Sequence, residues 1–367
     1  MLLRDSHDLA VPPSTPVEDV VPAGGVPLRA LAYPELRYMG SKHRLIPWIH
    51  DVLSTLDFET ALDPFCGTGC VAYLMKAMGR QVTACDFLGF TTLVAQATVA
   101  NATRTLDGAD VDAILSPRAD ADDFIARTFD GVFFTADDRV FLDRASAGLR
   151  RLDDPDARAV AYAALFRSCL KKQPRGVFTV SGDLARYDDG RRDLRLSLEE
   201  HFREQVAVFN AAVFDNGRAN RAFQADVFET DAPGVDLVYL DPPYVPRSDD
   251  NCYVKRYHFL EGLSCYWEDL EIMQDTKVKK IEKRFTPFSY RRTAVDAFER
   301  LFARFAKSTI VLSYSSNGYP DLAILEGLLR RRKRRIDLFE RQHRYNFGTH
   351  ASVERARVTE YILVGRG

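Results

Sequence analysis

The chain has 367 residues and a mass of 41.5 kDa, enough for one large domain or a catalytic domain carrying a second module of roughly 100 residues. Hydrophobic residues at 46% and aromatics at 11% exclude global disorder. Lys and Arg number 50 against 52 Asp and Glu, a formal net charge of −2 that excludes a uniformly basic, polyanion-binding chain but leaves local basic patches open.

Residues 1–33, with prolines at 12, 13, 16, 22 and 27, read as an extended or disordered arm. Asp5, Asp8, Glu18 and Asp19 interrupt the apolar run that a secretory signal needs, and no stretch approaches the roughly 18 uncharged apolar residues of a membrane span. A cytoplasmic protein without membrane association is expected. The six cysteines (66, 70, 85, 169, 252 and 265) form no CxxC pair and have no histidines at zinc spacing, which predicts free thiols and no metal site.

From Leu36 the segment LRYMGSKHRLIPWIHDVLSTL predicts a glycine turn followed by a helix with an apolar face at Leu45, Ile49, Val52 and Leu53. Thr60–Leu62 reads as a buried strand ending in DPFCGTGC. A helix from Cys70 to Met78 should stop at Gly79, and Gln81–Cys85 is a second strand, ending in Asp86. This strand–loop–helix–strand unit opens a doubly wound parallel sheet. Residues 100–220 break the rhythm. They carry an acidic stretch, helical patterns over Asp137–Leu152 and Asp156–Leu170, and a basic, aromatic-bearing segment that includes Lys171, Lys172, Arg175, Arg186, Arg191 and Arg192.

The alternation resumes at Arg221 with the strands AFQADVF and VDLVYL, the second leading into DPPY. An irregular insert spans about 246–295 and holds Lys277, Lys279, Lys280, Lys283, Arg284, Arg291 and Arg292. Its stretch YVKRYHFLEGLSCYW, with His258 and Trp267, reads equally as pocket lining or as helix packing. A strand STIVLSYSS follows, then a helix from Asp321 into the run Arg330–Arg335, where cations complement a helix carboxyl end. IDLFERQHRYNF and VTEYILVGR form an expected antiparallel pair.

Asp241-Pro242-Pro243-Tyr244 lies just past an apolar strand, where open α/β sheets place ligands. Two prolines remove two backbone donors and leave an acceptor-rich turn: the Asp241 carboxylate and the Pro242 carbonyl, beside an aromatic ring. That combination suits an exocyclic amine on a planar base, both of whose protons would be accepted while Tyr244 stacks on the ring. Asp63-Pro64-Phe65-Cys66-Gly67-Thr68-Gly69 ends the first strand, and its glycines allow close approach of a ligand at a helix amino terminus. Asp86, 17 residues beyond Gly69, stands where a ribose diol would want an acceptor.

With these motifs the chain resembles the S-adenosylmethionine-dependent DNA methyltransferases that act on amino groups, specifically the D12 class directed at adenine N6. The likeness covers roughly 36–100 and 221–365 and has the α order of motifs: cofactor loop, insert, DPPY. The resemblance implies a Rossmann-like α/β fold with a mostly parallel, doubly wound sheet, an antiparallel C-terminal strand pair and a largely helical target-recognition insert. It divides the chain into the arm (1–33), a catalytic domain (34–104 and 221–367) and a DNA-binding insert (105–220). It also implies S-adenosyl-L-methionine as cofactor, held by Tyr38, Gly40, Lys42, Asp63, Phe65, Gly67, Gly69 and Asp86, with Asp226 and Val227 at the cofactor adenine. Asp241, Pro242, Pro243 and Tyr244 would hold a flipped target base, and the segment Ser313–Gly318 would face the same pocket. The implied partners are double-stranded DNA and, in a restriction setting, a cognate endonuclease, with the enzyme a monomer in solution. Phosphate contacts are expected from Lys171, Lys172, Arg175, Arg186, Arg191, Arg192, Lys279 and Lys280. Cytosine N4 methylation, an RNA or side-chain amide substrate, and a non-catalytic nucleic-acid-binding module remain as alternatives. Asp at position 241 favours adenine.

Overall fold

The computed structural model describes residues 25–117, 122–174, 176–179, 190–230, 234–246, 252–344 and 357–367. Its main sheet is built from β1 (Thr60–Asp63), β2 (Gln81–Asp86), β3 (Arg221–Gln224), β4 (Leu237–Leu240), β6 (Thr309–Ser315), β8 (Arg335–Arg344) and β9 (Arg357–Arg366), while β5 (Val245–Pro246) and β7 (Gly318–Tyr319) form a separate two-stranded ribbon. The order across the main sheet is β3-β2-β1-β4-β6-β9-β8. The first five strands are parallel, and the last two run antiparallel to their neighbours. β4 is buried along its whole length, as its unbroken apolar sequence requires.

The chain moves outward from β1 to β3 and then returns to pair β4 with the other edge of β1, in register at Ala61↔Leu237 and Leu62↔Val238. That reversal is the switch point of a doubly wound sheet. It sets the carboxyl ends of β1 and β4, and so the DPFCGTG and DPPY segments, side by side.

The helices are α1 (Leu28–Leu31), α2 (Ile46–Leu53), α3 (Cys70–Ala77), α4 (Gly89–Ala95), α5 (Gly108–Leu115), α6 (Phe124–Thr128), α7 (Ala136–Arg150), α8 (Pro155–Lys172), α9 (Arg192–Arg195), α10 (Leu198–Asn210), α11 (Tyr253–Cys265), α12 (Arg291–Arg304) and α13 (Leu322–Arg330). Caps fix several of the starts: Asp107 and Ser197 each close a capping box, and Thr135, Asp154 and Asp321 accept backbone N–H bonds. Among the described residues no helix is long and apolar enough to cross a membrane.

Two local features depart from the sequence reading. Residues 25–33 are not extended: α1 buries Ala30, and Tyr33 packs 4.9 Å from the Tyr73 ring and donates to the Thr68 carbonyl. Residues 1–24 of the expected arm lie outside the described residues. The third strand also ends at Gln224, because the Asp226 carboxylate accepts from Phe228 N (2.8 Å) and its carbonyl from Thr230 N (2.9 Å), folding 226–230 into a turn.

The helical insert does not enclose a core of its own. α8 is buried on almost every side, and Phe166 meets Phe90 of α4 edge-on at 5.9 Å. Phe133 and Phe178 pack with Phe259 of α11 (5.6 and 5.1 Å), so one apolar cluster runs from the insert through α4 to α11. His258 and Trp267 belong to this cluster. His258 is bonded to the Phe178 carbonyl at 3.0 Å, and burial pushes its pKa down to about 4. Trp267 fills the space beside Gly262, where a Cβ would fall 2.1 Å from the indole. Helix packing is their role.

Candidate active site

Strand β1 delivers Asp63 to the sheet edge, and the following turn uses two left-handed glycines, Gly67 (φ +50°) and Gly69 (φ +84°), to reverse into α3. The Gly67 amide donates to Asp86 at 2.9 Å, and Leu88 N donates to the other oxygen of the same carboxylate at 3.0 Å. Asp86 thus stands at the end of β2 with fixed orientation. Burial pushes its pKa up to about 6, against the pull of these amide bonds.

The glycine turn at 38–42 covers this loop. A Cβ on Gly67 would come within 3.1 Å of the Tyr38 ring, so the glycine is what lets Tyr38 lie against the loop. Tyr38 in turn stacks on Tyr257 (4.9 Å, 25°), whose hydroxyl accepts from Met39 N at 2.7 Å. Gly40 has φ +78° and faces the Tyr253 hydroxyl. Together these segments line a cleft of about 590 Å³ that includes Tyr38, Gly40, Lys42, Asp63, Phe65, Gly67, Asp86, Asp241 and Pro243.

The DPPY segment supplies the far wall. Lys42 Nζ lies 2.8 Å from Asp241 Oδ2 and 3.2 Å from the Gly40 carbonyl, with the lysine buried and the aspartate one-fifth exposed. Burial raises the Asp241 pKa, and the adjacent ammonium opposes that rise. Asp63 is raised well above the usual carboxylate range by burial and then by the charge on Asp241. Pro242 is buried and Pro243 borders the cleft. Tyr244 is held edge-on to Tyr314 of β6 (5.3 Å, 60°), next to Gly318, in the segment expected to face the same pocket.

Most of the expected site residues therefore converge. Gly69 acts from behind, as the residue before α3, with its amide on the Cys66 carbonyl (2.7 Å). Asp226 and Val227 do not border this cleft: the first caps its turn and the second is buried against the outer apolar cluster. Tyr253, Met39 and Phe87 line the cleft without having been singled out in the sequence. The four-residue spacing of Tyr253 and Tyr257 at the start of α11 was the available signal, since it places both on one helix face.

The expected DNA-contacting cations divide differently. Lys171 pairs with Asp193 at 2.9 Å, and Lys172 pairs with buried Asp138 at 3.1 Å while donating to the Leu196 carbonyl at 2.7 Å. Arg191 donates to the Pro174 carbonyl at 3.0 Å and Arg192 to Glu204 at 3.2 Å. These four hold the insert's own helices together. Lys279 bonds the Gln274 carbonyl at 2.9 Å, at the tip of a hairpin in which Met273 N donates to the Lys280 carbonyl at 2.7 Å. Arg175 and Arg186 lie outside the described residues.

The model of the D12 class N6 adenine-specific DNA methyltransferases matches residues 38–313. The chain is 30% identical over 328 residues to the type II methyltransferase M2.HphI of Haemophilus parahaemolyticus, covering 85% of this chain and 92% of that protein. It is also 23% identical over 327 residues to the modification methylase LlaI of Lactococcus lactis subsp. lactis, covering 81% of this chain and 49% of that protein. The glycine loop, the Asp86 acceptor and DPPY meet in one cleft at the switch point of the sheet, and the family match spans all three. The chain belongs to the D12 class of N6 adenine-specific DNA methyltransferases.

Proposed function

We propose that the chain methylates N6 of adenine in duplex DNA with S-adenosyl-L-methionine as donor, taking the target base out of the helix, as the modification activity of a restriction system. The observation that carries this reading is the contact of two motifs: Lys42 of the glycine turn touches Asp241 of DPPY across the cleft that also contains Gly67 and Asp86.

The lining fits such a cofactor. Asp86 offers a carboxylate to a ribose diol, Gly67 lets Tyr38 close against the loop, and Tyr38 and Phe65 supply aromatic walls. When bound, the cofactor supplies an electrophilic methyl group on a good leaving group, so the chain's residues are left with alignment and electrostatics. Asp241 and the Pro242 carbonyl accept the two hydrogens of the exocyclic amine, which keeps the nitrogen lone pair out of the ring. Tyr244 stacks on the base. Ionised Asp241 is the stronger acceptor, and Lys42 favours that form. A base within a duplex cannot reach the end of β4, and extruding it costs a few kcal/mol, offset by the stacking and by the two hydrogen bonds.

The test is to incubate the purified protein with duplex DNA and methyl-labelled cofactor and to analyse the nucleosides. N6-methyladenine is expected. Label found only in N4-methylcytosine, or only in RNA, would overturn the reading.

A further inference from the structure

Between residues 277 and 292 the sequence places seven cations and a single acid, Glu282. Within this stretch Phe285 and Tyr290 are 63% and 45% exposed and stack on each other, with ring centroids 5.3 Å apart and planes 17° from parallel. Folding alone does not account for two aromatic rings left in water. Nor is their mount loose. Phe288, midway between them, is buried edge-on to Phe65 of the cofactor loop (5.4 Å) and face-on to Phe228 (5.7 Å). Thr293 donates to the Pro287 carbonyl at 2.7 Å, and Ala294 N donates to the Tyr290 carbonyl at 2.9 Å as α12 begins.

The pair also has an address. A second cleft, of about 690 Å³, shares Phe87, Pro243 and Tyr253 with the first and continues to Arg284 and Tyr290. It leads from DPPY to the stacked rings. Arg284 is anchored there by Glu261 at 3.0 Å and by the Phe87 carbonyl at 2.9 Å. Rigid exposed rings among cations, one cleft away from the catalytic motif, match the combination that binds unstacked nucleic acid: charge for the backbone, π-faces for the bases.

Resting on the DNA methyltransferase reading above, we propose that Phe285 and Tyr290 form a stacking platform for the nucleobase that loses its neighbour when the target adenine leaves the duplex. The platform would lower the cost of extrusion, because the stacking lost inside the helix is replaced on the protein. It is sequence-tolerant, since every base has a π-face.

The experiment uses the full chain and a duplex containing its methylation site, with 2-aminopurine at the target position as a reporter of extrusion. The double variant Phe285→Ala/Tyr290→Ala is expected to bind this duplex about tenfold more weakly and to lose most of the fluorescence rise. The salt dependence of binding should keep its slope, because no phosphate contact is removed. Phe285→Trp/Tyr290→Trp should restore both signals, and calorimetry should show cofactor affinity unchanged in both variants. Wild-type extrusion and affinity in the alanine variant would overturn the platform alone, as would a change in oligomeric state by sedimentation with DNA binding intact. A wild-type chain that neither binds nor methylates duplex DNA would overturn the underlying reading and the platform with it.

Discussion

Lys42 and Asp241 form an ion pair of 2.8 Å that joins the two motifs the chain separates by the whole insert. The pair is the direct electrostatic contact between the glycine turn and the DPPY turn, and it lies within the cleft. Lys42→Met should cut methylation to a small residual rate and destabilise the fold by about 3–5 kcal/mol, the usual cost of stranding one member of an enclosed pair. Burial already raises the Asp241 pKa, and losing the ammonium raises it further. Residual activity should therefore need a higher pH, while Lys42→Arg should retain the wild-type pH profile. Rate against pH, with thermal melting as control, checks this.

Asp86 sets a second pH dependence. Its carboxyl is pushed up to about 6, so cofactor affinity should fall as pH drops from 7 to 5, and Asp86→Asn should bind weakly and without that dependence. Stability runs the other way. A carboxyl raised in the folded state binds its proton more tightly than in the unfolded chain, so the penalty is complete above pH 6 and is relieved as pH falls toward 4. Calorimetric titration across this range, alongside melting curves, separates the two.

Gly318 lies against Tyr244 of DPPY and Tyr314 of β6. A Cβ there would sit 2.9 Å from the Tyr244 ring and 2.8 Å from the Tyr314 hydroxyl, and both side chains are braced against each other. Gly318→Ala should displace Tyr244 and lower kcat by about tenfold, as expected for a misplacement near the reacting atoms. Cofactor affinity should stay unchanged, which a direct binding measurement would establish.

Lys172 tests the division of labour among the basic residues. It ties α8 to Asp138 of α7 and to the loop before α10. Lys172→Met should lower the melting temperature by several degrees. The slope of duplex affinity with salt should not change, whereas a lost phosphate contact would reduce that slope by about one.

What could be read from the sequence followed the range of the interactions involved. DPFCGTG and DPPY announce their geometry locally: a strand, a glycine or proline turn, and an acceptor at a strand end. Asp226 was ambiguous, because an aspartate at the end of a strand can either face a ligand or cap its own turn. Here its carboxylate is used by Phe228 N. The internal pairing of the insert's basic residues was illegible for a different reason. Their partners, such as Asp138 for Lys172, are distant in sequence and adjacent only after the helices have packed. His258 and Trp267 could be settled only by knowing that Gly262 opens a slot for the indole and that Phe178 turns its carbonyl to the imidazole.

The apolar cluster that runs unbroken from α8 through α4 to α11 limits how the chain can be recombined. The insert is not a cassette. A chimera exchanging 105–220 alone between relatives would bring a foreign Phe166 to a resident Phe90 and foreign aromatics to Phe259, and should lose the single cooperative melting transition of a shared core. A change on the insert's apolar face therefore has to be matched by α4 and α11, because the three share one core.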